Sequence, residues 1–347
     1  MVSVDLLKKL SQLRGVSGYE ERFSDEIVDI FSEYCDEVSK DNLGNVIGVK
    51  KSSALNAKKV MVEAHMDEIG MMITSVDDNG FLSFASVGGI DARILLANEV
   101  VVHGREDICG IIGAKPPHVL SGDEMKSSVP MDKLYIDTGY CKEEISKIVS
   151  VGDTVTFKND FLVLKNNRVS TKCQDDRSSV AIIITLMQKL KNISLPFDVY
   201  FVAAVQEEVG LRGAKTAAWE ISPDMAVVID VCHASTPDAT KDVYPFGSGA
   251  VITKGPNIHP GVVKRLTDIL DENSIKYVID IEGGDTGTDA WAIQVAGCGV
   301  PTVLFSIPLR YMHTPVETVS VSDLDITMLA IYAFLTNING VEECICL

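Results

Sequence analysis

The 347-residue sequence predicts an α/β protein, a mainly parallel sheet flanked by helices, with a small all-β barrel domain inserted into it. Beyond residue 166, helical and extended patterns alternate, as they do where helices connect and cover parallel strands. Between residues 70 and 165 the hydrophobic period is two and no sustained helical pattern appears, which suits a barrel or sandwich. The length allows about two compact units at roughly 150 residues each. The expected organisation is a discontinuous main domain, 1–69 and 166–347, carrying an inserted β-barrel domain at 70–165.

Two amphipathic helices open the chain: Leu6, Leu7, Leu10 and Leu13 share one face, and Phe23, Ile27, Ile30, Phe31 and Tyr34 share another at the 3.6-residue period. Short β-branched runs at 46–49 and 60–64 read as strands, the second leading straight into His65-Met66-Asp67-Glu68. Within the insert, strands are expected at 71–76, 81–85, 100–103, 108–113 and 154–157, and Asp78-Asn79-Gly80 closes the first two as a hairpin. A short helix over 142–148 is the one exception there. The later alternation runs helix 178–190, strand 199–205, helix 211–219, strand 225–229, helix 262–273, strand 277–281, helix 289–296, strand 300–307 and helix 322–336. Ser322 with Asp325 would begin the last helix as a variant capping box.

Lys and Arg number 31 against 49 Asp and Glu, and the resulting net charge of -18 repels nucleic acid and anionic membrane surfaces. The longest apolar runs, such as 180–186, fall short of the roughly 18 residues that a membrane helix needs. The first twenty residues lack the apolar block of a secretory signal, so a cytoplasmic location is expected. Eight scattered cysteines fit no zinc-finger spacing and read as buried free thiols. Cys344-Ile345-Cys346-Leu347 formally fits a prenylation box, but with no polybasic segment before it the tail reads as frayed.

His65-Met66-Asp67, Gln174-Asp175-Asp176-Arg177, Gln206-Glu207-Glu208 and Val228-Ile229-Asp230 fall at the ends of these strands, and Arg310 to Pro315, with His313, follows the last. Parallel strands bring their carboxyl ends to one rim, so the motifs should converge. Two imidazoles among several carboxylates suit a pair of cations about 3.5 to 4 Å apart, which together polarise a carbonyl and activate a shared water. Such a nitrogen and oxygen set favours zinc, cobalt or manganese over magnesium. Asp67, two residues beyond His65 on an extended segment, would fix the imidazole from behind, and Glu207, beside a ligating Glu208, would take a proton from the water.

On these residues the chain resembles the glutamyl and tetrahedral aminopeptidases, dinuclear metallopeptidases of which some members carry the label cellulase M or endoglucanase. Ala64 to Gly70 matches the family's Ala-His-x-Asp-Glu-Ile-Gly, and Glu207-Glu208-Val209-Gly210 its Glu-Glu-x-Gly; Gly287 to Ala290 and Lys115 to His118 are further familiar segments. The resemblance implies a zinc-peptidase-like fold, with His65, Asp230, Glu208 and His313 as metal ligands, Asp175 as the bridging ligand and Glu207 as general base. It also implies two divalent ions per subunit, zinc or cobalt, peptide substrates cut at the free amino end, and a homo-oligomer between dimer and dodecamer. Cys173-Gln174 replace the family's Ala-Leu or Ala-Phe and Ser179 replaces a Gly, departures that bear on the pocket and on metal preference. Two rival readings are an endoglucanase, which leaves the imidazoles and the bridging Asp unexplained, and a related N-acyl amino acid deacylase.

Ile90, Ile94, Leu95 and Leu96 lie in a stretch of little periodicity and are expected on a subunit contact, the module then controlling access to the site. His103, His118, His233 and His259 read as turn or packing residues, and Gly283 to Gly287 as a tight turn near the site. Arg310 would either bind a substrate carboxylate or pair with a nearby acid.

Overall fold

Leu7 and Leu10 bury one face of α1 (Val4–Gln12), which starts where the Ser3 hydroxyl accepts the Leu6 N–H; α2 (Glu21–Ser32) buries Phe23, Ile27 and Phe31. In the computed structural model, which describes residues 1–122, 124–239 and 241–345, three strands follow: β1 (Glu37–Lys40), β2 (Val46–Lys50) and β3 (Lys59–His65). The chain then enters β4 (Gly70–Val76), β5 (Leu82–Val87), β6 (Glu99–His103), β7 (Asp107–Gly113), β8 (Tyr135–Asp137), the one-turn α3 (Lys142–Ile145) and β9 (Thr154–Phe157). It returns through β10 (Leu162–Leu164), β11 (Arg168–Ser170), α4 (Gln174–Leu190), β12 (Asp198–Ala204), α5 (Arg212–Ile221) and β13 (Met225–His233). β14 (Ala250–Lys254), α6 (Pro260–Glu272), β15 (Tyr277–Ile281), α7 (Asp289–Ile293), β16 (Thr302–Arg310), β17 (Thr318–Ser320), α8 (Val321–Thr336) and α9 (Glu342–Ile345) complete it.

The larger sheet has eleven strands, and its centre is the parallel set β12-β3-β13-β16. Its margins, β1-β2 on one side and β17-β11-β10 on the other, are antiparallel, while β15 runs parallel to β14. β3 and β13 are buried almost throughout without alternation, because α4 with α1 and α8 packs over them and α5 with α7 packs against the same strands. The six insert strands close into an antiparallel barrel, β4-β5-β8-β7-β6-β9, whose core contains Met71, Ile73, Leu82, Val100, Val102, Ile136 and Val155. In the β4–β5 turn Gly80 has φ +96° and a Cβ there would meet the Tyr140 carbonyl, so the glycine is required.

Several expectations are corrected. Leu162–Leu164, assigned by pattern to the insert, pairs with β11 in the large sheet, since a period of two cannot say which sheet a strand joins. α8 begins at Val321 after Ser320, and the supposed box is used elsewhere: Ser322 Oγ accepts from Asn167 Nδ2 and Asp325 from the Val2 N–H. Leu95 lies in the barrel core with Ile90 and Ile94 packed against it, leaving only Leu96 of that group exposed. Among the seven described cysteines, all free, Cys109, Cys141 and Cys298 are exposed. Cys344 is buried in α9 rather than frayed; Cys346 and Leu347 lie outside the described residues. Among the described residues no helix is long and apolar enough to cross a membrane.

Candidate metal centre

The parallel centre of the sheet delivers the site. His65 is the last residue of β3, level with Ala204 of β12, and beyond Ala204 the chain turns through Gln206-Glu207-Glu208. Asp230 lies on β13 beside Ser306 of β16, and His313 stands three residues past the end of β16. Asp175 and Asp176 open α4 with non-helical backbone (φ/ψ -80/104 and -121/30), so the regular helix begins after them, as the sequence pattern indicates.

Two triads of potential ligands result, His65–Asp175–Asp230 and Asp175–Glu208–His313, each with its donor atoms within 4.8 Å of one another. Asp175 belongs to both: its Oδ1 lies 3.1 Å from His65 Nε2 and its Oδ2 3.3 Å from His313 Nε2. Glu208 Oε1 lies 3.3 Å from the same His313 nitrogen. Ligand atoms held at about 2.0 to 2.2 Å around a tetrahedral ion are separated by roughly 3.3 to 3.6 Å, so these spacings and this donor chemistry fit zinc-like cations.

Charge supports the fit. Burial pushes Asp230 up to about 7, His65 pulling the other way. Burial, then the neighbouring Asp230, Asp289 and Glu208, pushes Glu207 up to about 10 against the pull of His65. Burial works against ionised Asp175 as well, but hydrogen bonds with His313 and His65 hold its carboxyl far below the usual range. Burial opposes the imidazolium of His313, yet Asp175 and Glu208 raise it to about 11. Buried carboxylates so crowded around two imidazoles are stabilised by compensating positive charge, which divalent cations would supply.

Three buried carboxylates around the triads, those of Asp67, Glu20 and Glu317, hold backbone. Asp67, fully buried, accepts the Glu207 N–H on Oδ1 at 3.0 Å and the Glu208 N–H on Oδ2 at 3.2 Å. It also faces His65 Nδ1, at a longer 3.4 Å, so its main hold is on the acidic loop. Glu20 Oε1 accepts the preceding Gln206 N–H, whose residue has φ 57°. Glu317 accepts N–H groups of Asp175 and His313. Glu20 and Glu317 escape a motif reading because their contacts arise only from tertiary approach; the position of Glu317, four residues after His313, was the available signal.

Glu68, for which the motif offers no role, anchors the floor beneath the site. Its Oε1 takes Arg177 Nη2 and the Gly15 N–H, and its Oε2 takes Lys172 Nζ and the Cys173 thiol. Burial raises its pKa, but Lys172 and Arg177 bring it down to about 2. Cys173 is thus held by Glu68 rather than offered as a ligand. Gln174 is fully buried and is not part of the cavity lining.

A cavity of about 870 Å³ opens over the triads. Apart from Lys215, His233 and the Cys232 thiol, the further ionisable groups on its wall are acidic or phenolic: Asp242, Tyr244, Asp280, Glu282 and Asp285, a lining suited to a cationic amino end. His233, expected as a packing residue, therefore borders the cavity, as does the turn at Asp285-Thr286-Gly287. His103 bonds Asp107 and Thr156, and His259 caps α6. Arg310 donates to the Ser235 carbonyl and stacks on Phe246, and among the described residues no acid pairs with it.

The family model for M42 glutamyl aminopeptidases matches residues 44–328. A lysyl aminopeptidase of Pyrococcus furiosus is 36% identical over 352 residues, covering 99% of either chain. The TET1 peptidase of Pyrococcus horikoshii, described as able to assemble into a tetrahedron or a large octahedral shell, superposes with a TM-score of 0.86 at 36% identity, covering 97% of this chain and 100% of its own. A Thermotoga maritima structure named endoglucanase superposes with a TM-score of 0.79 at 29% identity, covering 98% of each chain. The sheet, the barrel and these matches agree: the chain belongs to the M42 glutamyl aminopeptidase family, metal-dependent hydrolases that act as aminopeptidases.

Proposed function

We propose that the chain releases amino-terminal residues from peptides at a centre of two divalent cations, zinc or cobalt, held by His65, Asp175, Asp230, Glu208 and His313. The observation that carries this reading is the sharing of Asp175, one oxygen toward each imidazole. When bound, two such cations would polarise the scissile carbonyl and make water a better nucleophile. Glu207, which is part of the cavity wall but of neither triad, takes a proton from the attacking water and returns it to the leaving amine. Compensating cations would also draw Glu207 down from its raised pKa into the range where it can act as a base. Asp67 keeps Glu207 and Glu208 in register, and the acidic wall receives the substrate's ammonium.

Hydrolysis of amino-acid p-nitroanilides after dialysis against a chelator, and again after zinc or cobalt is restored, tests the reading. Activity should vanish and return with metal. Metal-independent cleavage of a β-glucan, with no action on the anilides, would favour the endoglucanase reading, and cleavage confined to N-acyl amino acids the deacylase one.

The chain also assembles, on this reading, into a homo-oligomer. Support comes from the assembling TET1 neighbour rather than from Ile90, Ile94 and Leu95, which pack inward.

A further inference from the structure

The two triads are held in place by different means. His65 and Asp230 sit within the parallel centre of the sheet, where ladder hydrogen bonds fix them. Glu208 and His313 stand on loops and are less buried, and His313 has φ 58°, a left-handed backbone that a non-glycine residue keeps only when its surroundings impose it.

Two contacts impose it. Glu317, 2% exposed, accepts the Asp175 N–H on Oε2 at 3.0 Å and the His313 N–H on Oε1 at 2.9 Å, so one carboxylate ties the shared residue to the loop histidine. From the opposite side the Gly89 carbonyl, in the segment after β5, accepts His313 Nδ1–H at 2.8 Å, which leaves Nε2 to face Asp175 and Glu208. The approach is close enough that a Cβ on Gly89 would stand 3.0 Å from Nδ1 and 3.2 Å from Cε1 of that ring.

We infer that the Gly89 carbonyl is a positioning group for the Asp175–Glu208–His313 position alone, so that this cation position can be weakened through Gly89 while the His65–Asp175–Asp230 position persists, whereas Glu317, which also holds the shared Asp175, positions ligands of both. The inference rests on the two-cation reading. It also gives the inserted module a part in building the centre, because His313 is correctly aimed only while the segment after β5 lies against it.

Zinc bound per chain, measured by equilibrium dialysis over graded free zinc, separates the possibilities. Wild type should bind two. Glu317→Gln turns an amide donor toward one of the two N–H groups, and Gly89→Ala pushes on the ring while leaving Glu317 intact. In Gly89→Ala the first zinc should keep its affinity within about threefold while the second is weakened by at least ~10-fold; in Glu317→Gln both should weaken. If Glu317→Gln does not fold, Gly89→Ala carries the test alone. Two zincs bound with wild-type affinity in either variant, or both lost together in Gly89→Ala, would overturn the inference and leave the two-cation reading standing. A wild-type chain that binds fewer than two overturns that reading and the inference with it.

Discussion

Asp67→Asn exchanges an atom or two and should disable the centre. The wild-type carboxylate receives two N–H groups, from Glu207 and Glu208, with no exposure to water. A hydrogen bond to a charged group contributes about 1.5 to 3 kcal/mol, and a buried donor left unpaired costs about 1 to 3 kcal/mol. Asn keeps one acceptor oxygen and points an amide donor at the other N–H, so the loop's native arrangement should lose about 3 kcal/mol relative to alternatives. At 1.4 kcal/mol per factor of ten, kcat/KM falls about 100-fold. Steady-state hydrolysis of a p-nitroanilide measures it, with circular dichroism confirming the fold. Asp67→Ala, which strands both N–H groups, should be worse. Asp67→Asn within threefold of wild type would refute the assignment of Asp67 to the acidic loop. A loss of zinc from the His65 position as the sole defect would mean that its 3.4 Å contact with the imidazole matters more.

Glu207→Gln should keep its bound metal and lower kcat by roughly 10² to 10⁴ with little change in KM; loss of metal instead would show that Glu207 and Glu208 have exchanged roles. Arg177→Met removes a buried guanidinium that donates to Leu10, Leu13 and Met66 carbonyls and to Glu68, and urea denaturation should show a loss of about 3 to 5 kcal/mol. Glu68 has a folded pKa of about 2 against an ordinary 4.5. Its contribution, of order 3 kcal/mol, is complete above pH 4.5 and fades as the pH falls toward 2, so Glu68→Gln should flatten that part of the acid-unfolding curve. Light scattering of the chain at physiological salt should give a mass of several subunits; an active species at 37.6 kDa would refute assembly.

The centre was legible because hydrophobic runs meet ionisable residues there: Ala64 into His65 and Ala204 toward Glu207 at strand ends, and Ile229 into Asp230 inside β13, which continues to His233 instead of ending at 229 as the pattern suggested. The supports were not. Glu20 and Gly89 act through contacts distant in sequence, and nothing in their own neighbourhoods marks them apart from a surface acid or a turn glycine; Glu317 is marked only by standing four residues after His313. Short strands such as β10, β11 and β17, three residues each, carry too few side chains to show a period. Ser322 and Asp325 have the spacing of a cap, yet tertiary partners, Asn167 and Val2, claim them first.

The most direct test is the anomalous scattering of a crystal grown with zinc or cobalt. Two peaks about 3.5 to 4 Å apart are predicted, flanking the Asp175 carboxylate, one against His65 and Asp230 and the other against Glu208 and His313. A single peak, or two that do not share Asp175, would contradict the two-cation centre.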